Sequence, residues 1–289
     1  MNEFLPSRYV ELVKRLALGI EPMDAIHARQ LSYPLRVEHD GAHLGLRRPP
    51  IEHHTSNRYA LRYQPNLPTS VDLRFFDLSD RFYTPQNDRR RIVPRRLRIP
   101  ILSLTDVETA EQTDAQAANT NAKDFKRRIR RPLFFPGAAY AFNTTATGLR
   151  GRVTRGGKPM RWARVEARLN GTSLIVGRAH GDDRGEFLLL ISSRVTTGST
   201  LPKPLNIEVK VMGPATAPAP SSPDLPSLDP LWDLPLEFLA APGTANDPVA
   251  IGEQPPNQPP AQNYTASVTR TVEFTLGKCL SGTADFVIT

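Results

Sequence analysis

The chain has 289 residues, 39% of them hydrophobic, with 28 prolines and a net charge of +8. That length suits about two ordinary domains, and the local apolar alternation excludes a wholly disordered chain. A single cysteine, Cys279, excludes an internal disulfide and a CxxC zinc pattern. No apolar run approaches the ~20 residues that span a bilayer, so no membrane insertion is expected.

The opening residues do not read as a signal peptide, because Glu3, Glu11, Lys14 and Arg15 interrupt any apolar core. The expectation is a chain made and assembled in a reducing cytoplasm. Residues 7–19 predict a short amphipathic helix: Tyr9, Leu12, Val13, Leu16 and Ala17 recur at helical spacing, with Gly19 as its stop. A second short helix is expected after Pro22, which suits a first helical turn. Residues 1–30 thus form an N-terminal helical arm that packs on its own domain or docks on a neighbour.

Residues 31–104 predict a small β domain. Val71, Leu73 and Phe75 alternate with Asp72 and Arg74; Leu97, Ile99 and Ile101 alternate with Arg96, Arg98 and Pro100. Pro100 marks an edge or a strand end. Residues 105–146 begin as a polar linker with room for a helical piece. The linker turns basic through Lys126–Arg131 and ends in the apolar crossing segment RPLFFPGAAYAF.

Residues 147–289 predict a second β domain. Short strands are separated by turns such as Gly156-Gly157-Lys158-Pro159 and Asn170-Gly171, the latter a strong hairpin signal. Residues 214–263 form a Pro-rich insertion, with thirteen prolines by residue 260, expected to be extended or irregular rather than a regular ladder or helix. Inside it, Leu231, Trp232, Leu234, Leu236, Phe238 and Leu239 form an apolar cluster that must bury against this chain or a partner. The fold class is therefore mainly β: two small antiparallel domains, a short helical arm and a long Pro-rich segment.

His180-Gly-Asp-Asp-Arg-Gly-Glu186 concentrates metal-ligating side chains, but it lacks the alternation and terminal glutamate of a calcium loop. Its chemistry is that of a turn: Asp182 and Asp183 cap backbone amides, Gly185 supplies positive φ, and Phe187 starts the next strand. With its neighbours the stretch resembles the carboxypeptidase regulatory-like domain, a transthyretin-like β-sandwich. Gly151-Arg152-Val153, the Gly157–Met160 turn, Ala163-Arg164-Val165 and the Asp-x-x-Gly-x-Phe turn at 182–187 carry the resemblance. It covers residues ~147–211 and the closing strands, and implies a sandwich without a catalytic part.

No Walker loop, GxGxxG, GxSxG or HExxH occurs. Five histidines fall in the first 54 residues, His27, His39, His43, His53 and His54. His39 and His43 stand four apart, which would suit a metal on a helix, but Asp40-Gly41 between them reads as a turn, and His53-His54 sit in a Pro-rich turn. No catalytic residue, cofactor or metal is expected. Arginines crowd the region Arg81, Arg89, Arg90, Arg91, Arg95, Arg96 and Arg98. Solvated strand faces, docking to an acidic protein surface and phosphate binding are the readings of that charge, in that order.

The favoured function is a non-enzymatic structural or adaptor protein of a large assembly, such as a phage tail or contractile injection particle. Its partners would be other subunits, and self-association stays open. The alternatives are a stand-alone carbohydrate- or peptide-binding module and a nucleic-acid-binding protein. The expected contact residues are Leu12 and Leu16 in the arm, Arg89, Arg90, Arg91 and Arg95 in the basic patch, and Trp232, Leu234, Leu236 and Phe238 in the Pro-rich segment.

Overall fold

A computed structural model describes residues 15–40, 49–64, 66–77, 90–109, 128–192, 204–242, 247–256 and 263–289. Strands are numbered along the chain. The first core lies between two four-stranded sheets. One runs β5 (Ile51–His54), β6 (Arg58–Arg62), β1 (Leu16–Ile20), β9 (Ile129–Arg130). The other runs β17 (Leu236–Phe238), β8 (Arg95–Pro100), β7 (Ser70–Asp77), β4 (Leu35–His39). Leu18, Ile20 and Leu61 of the first sheet share a core with Val71, Leu73, Phe75, Leu97 and Ile99 of the second. A three-stranded sheet, β10 (Leu133–Phe134), β2 (Met23–Asp24), β3 (Arg29–Gln30), completes this half.

The second core also lies between two sheets. One runs β14 (Ile175–His180), β13 (Arg164–Leu169), β16 (Leu205–Gly213), β18 (Ala266–Phe274). The other is built on β11 (Gly148–Arg155), which pairs antiparallel with β15 (Glu186–Leu190) and β12 (Lys158–Pro159). β11 also pairs in parallel with β19 (Cys279–Leu280) and β20 (Phe286–Ile288). Period-two patterning sets the burial: Ile207, Val209 and Val211 of β16 are fully buried while Asn206, Glu208 and Lys210 face outward. Leu149, Val153, Val165, Ala167, Phe187, Phe274 and Phe286 complete that core.

Helix is scarce. Residues 104–109 are helical, with Ser103 and Asp106 exchanging side-chain-to-backbone bonds at the N-terminus. One further turn spans Leu225–Leu228. With β17, which is free of proline and pairs with β8, it corrects the expectation that the Pro-rich insertion holds neither ladder nor helix.

Three further features depart from the sequence expectation. The helix over 7–19 does not form at its C-terminal end, where Leu16–Ile20 is β1; Leu12 and the rest of the arm through residue 14 lie outside the described residues. Ala17, Leu18 and Ile20 are all buried, and Gly19, expected as a helix stop, instead admits Ile129, whose Cγ1 lies 3.3 Å from where a Cβ would stand. Burial on both faces overrides the helical spacing. The segment after Pro22 is likewise β2, a turn and β3 rather than a helix. The ladders are also mixed, because β9, β10, β17, β19 and β20 add in parallel.

Candidate functional site

The Pro-rich segment runs between the two cores as a strap. Leu231 and Leu234 enter a small cluster with Phe76, Val93 and Trp162, drawn from both halves of the molecule. Leu236–Phe238 adds to the β8 edge as β17, and Leu239 and Ala250 close the first core. The apolar cluster is therefore packed within its own chain: Leu234 is buried, and Trp232, Leu236 and Phe238 are half-buried.

Four strap carboxylates meet arginines from every surrounding segment. Asp229 lies 2.8 Å from Arg74, Asp233 2.6 Å from Arg161, Glu237 2.8 Å from Arg95 and Asp247 2.9 Å from Arg130. Arg95 is 0% exposed, and its N–H groups make five hydrogen bonds. Two go to Glu237 in a bidentate pair; three go to the carbonyls of Leu133, Val249 and Ala250. Arg164 of β13 approaches the same Glu237 to 3.2 Å, so one buried carboxylate ties the two halves together.

The other expected basic contacts are also spent internally. Arg90 pairs with Asp183 and lies 3.5 Å from Asp182, and Arg91 forms a bidentate pair with Asp77. Arg96 pairs with Asp40 and Arg98 with Asp72. Arg128 and Arg130 of the second basic run are buried. Arg81 and Arg89 lie outside the described residues. Leu16 is half-buried in β1 opposite Arg62.

The acidic stretch is a tight turn between β14 and β15. Asp182 Oδ1 accepts the N–H groups of Arg184, at 2.8 Å, and Glu186, at 3.0 Å. Gly185 has φ +72°, and a Cβ there would lie 2.4 Å from the carbonyl of Val153. Phe187 packs its ring on Gly151, where a Cβ would stand 2.4 Å from its Cζ.

Two polar features were not expected. His180 is 1% exposed, stacked at 3.9 Å on Phe135, and neither ring nitrogen has a hydrogen-bond partner among the described residues. Burial, with Arg164 and Arg95 nearby, pushes its pKa well below the usual histidine range. The second is a groove of about 870 Å³ between the halves, lined in part by His27, Phe135, Phe142, Arg178 and Ile251. His27 Nδ1 sits 3.3 Å from Asp24 Oδ2 and 3.0 Å from Tyr140 Oη, and Tyr140 donates to Asp24 at 2.7 Å. Burial, then the bond to Asp24, pushes the Tyr140 phenol up.

Comparison with family models, curated proteins and solved structures finds no match. Among the described residues no group of three or more His, Cys, Asp or Glu side chains could hold a metal ion. His39 instead contacts the Pro49 carbonyl at 2.7 Å; His53, stacked on Tyr59, and His54, in contact with Ser56, lie on β5 rather than in a turn; His43 lies outside the described residues. No helix among the described residues is long and apolar enough to cross a membrane.

Proposed function

We propose that the chain is a non-enzymatic structural or adaptor subunit of a large protein assembly built in the cytoplasm, of the phage-tail or contractile-injection kind. The carrying observation is the nine-residue edge strand β18, whose outer side pairs with no other strand among the described residues. An open edge of that length is a template for another chain. The cross-braced strap supports the same reading, because it holds two β cores in a fixed relation, as a subunit transmitting contacts requires.

We also infer that residues ~147–211 with the closing strands are a carboxypeptidase regulatory-like, transthyretin-type sandwich. The Phe187 ring seated on Gly151 and the Asp182–Gly185 turn give physical reasons for the residues that carry that resemblance. A second reading, a stand-alone carbohydrate- or peptide-binding module, draws on the groove beside His27. The nucleic-acid reading loses weight, since Arg90, Arg91, Arg95, Arg96 and Arg98 all pair with carboxylates of the chain itself. The test of the assembly reading is the mass at which the native chain sediments from its source cells.

A further inference from the structure

The strand β18 (Ala266–Phe274) is the longest edge strand among the described residues. The opposite edge of its sheet, β14, is closed: Ser192 N donates to Val176 O at 2.7 Å, and a Cβ on Gly177 would lie 2.7 Å from the carbonyl of Leu190. β18 has no second ladder among the described residues, although β20 packs close to it. It pairs with β16 over nine consecutive residues with no bulge and contains neither proline nor lysine; the one device that guards this edge is its inward cation, Arg270, which turns away strands that bring it no acid. Every second residue of such a strand turns its N–H and C=O outward, which asks for an extended backbone as partner.

Side chains narrow the choice of strand. Ser267, Thr269, Thr271 and Glu273 are exposed on the outer face. The inner face reads Val268, Arg270, Val272, all half-buried, so the core continues to the edge with one cation at its centre. That cation is held in place. The Arg270 guanidinium lies 3.9 Å from the centre of the Phe286 ring, and Nη1 donates to the Ala284 carbonyl at 3.0 Å. Just beyond, Val287 of β20 is 53% exposed. Directly opposed like charges destabilise a strand pair and opposite charges stabilise it. A second β18 paired about its own centre would set Arg270 against Arg270, which disfavours that symmetric dimer.

We propose that β18 accepts an extended strand of another protein subunit whose inward residues read apolar, acidic, apolar, with the carboxylate facing Arg270. The inference rests on the assembly reading for the donor of that strand and names the chemistry by which the donor is recognised. Specificity comes from the Val268–Arg270–Val272 triplet; affinity comes from the backbone ladder and from covering the valines.

The test uses the full chain and blocked seven-residue peptides alternating threonine with valine, glutamate and valine, against the same peptide with lysine in place of glutamate. Amide chemical-shift mapping is expected to place the glutamate peptide on residues 266–274, with the lysine peptide about fivefold weaker or worse, as a cross-strand charge pair of about 1 kcal/mol implies. Arg270→Glu should invert the preference. Should that variant fold poorly, Arg270→Gln should abolish it. Equal binding of both peptides, binding of neither, or shifts confined to the groove near His27 would overturn the proposal while leaving the assembly reading standing. Discrimination at β18 by a chain that sediments alone in its source cells would instead remove the assembly reading and leave the edge as a strand-binding site.

Discussion

Replacing Glu237 with alanine is the most informative perturbation of the junction. The substitution leaves the fully buried Arg95 with Nε and one Nη2 proton unpaired, and removes the carboxylate that Arg164 approaches to 3.2 Å. Breaking a buried pair from one side costs about 3–5 kcal/mol, because the remaining charge stays desolvated. For 289 residues the unfolding entropy near the midpoint is about 0.6 kcal/mol per degree, so Tm should fall by roughly 5–8 °C. Scanning calorimetry with urea titration at neutral pH measures both quantities. The strap should also become a site of limited proteolysis before either core opens. The double variant Arg95→Met with Glu237→Leu should be less destabilised than the sum of the two single changes, since Arg95 is no longer stranded, and the remaining cost is that of the buried Arg164 left without its carboxylate. Glu237→Ala melting within about 1 °C of the parent would refute the view that this buried carboxylate, shared by Arg95 and Arg164, holds the junction together.

Trp162 is 2% exposed and packs with Phe76, Val93, Leu231 and Leu234, while its Nε1 donates to Asp233 at 2.8 Å. Trp162→Ala should cost about 3–5 kcal/mol in urea unfolding, and a cost below about 1 kcal/mol would place the cluster outside the stabilising core. His180 gives a pH signature. Its folded pKa lies below the unfolded value of 6.5, so the unfolded chain binds the extra proton. The contribution is complete above that value and is lost as pH falls, by up to about 1.4 kcal/mol per pH unit. Between pH 6.5 and 5, above the main carboxylate range, His180→Leu should flatten the slope of stability against pH; an unchanged slope would show that the ring titrates normally.

Much of the β architecture was legible. The alternation at 71–75, 97–101 and 205–211 predicted which faces are buried, and the Gly185 turn was readable from its chemistry. What escaped was set by partners distant in sequence. Arg95 shares strand parity with Leu97 and Ile99, a signal that it faces inward, yet its carboxylate lies 142 residues away. Glu237 was hidden because its neighbours Leu236 and Phe238 are apolar and suggested the opposite face for burial; in β17 the acid faces in and the apolar pair is half-buried. Residues 16–20 carry a helical spacing that coincides with a continuous apolar run, and only their pairing with β6 and β9 makes them a strand. The Asp24–His27–Tyr140 cluster joins residues up to 116 apart and has no local motif. The basic charge looked like a surface because the acids that neutralise it, Asp40, Asp72, Asp77, Asp183 and Glu237, are scattered along the chain.

The central claim, that this chain works as a subunit of a large assembly, is tested most directly by gradient sedimentation of the native protein from a gentle lysate of its source cells, followed by immunodetection. The account predicts that the chain travels with particles many times its own 32.1 kDa, and that imaging those fractions shows one repeated structure. Recovery of the whole population at the position of a monomer or small oligomer would contradict it.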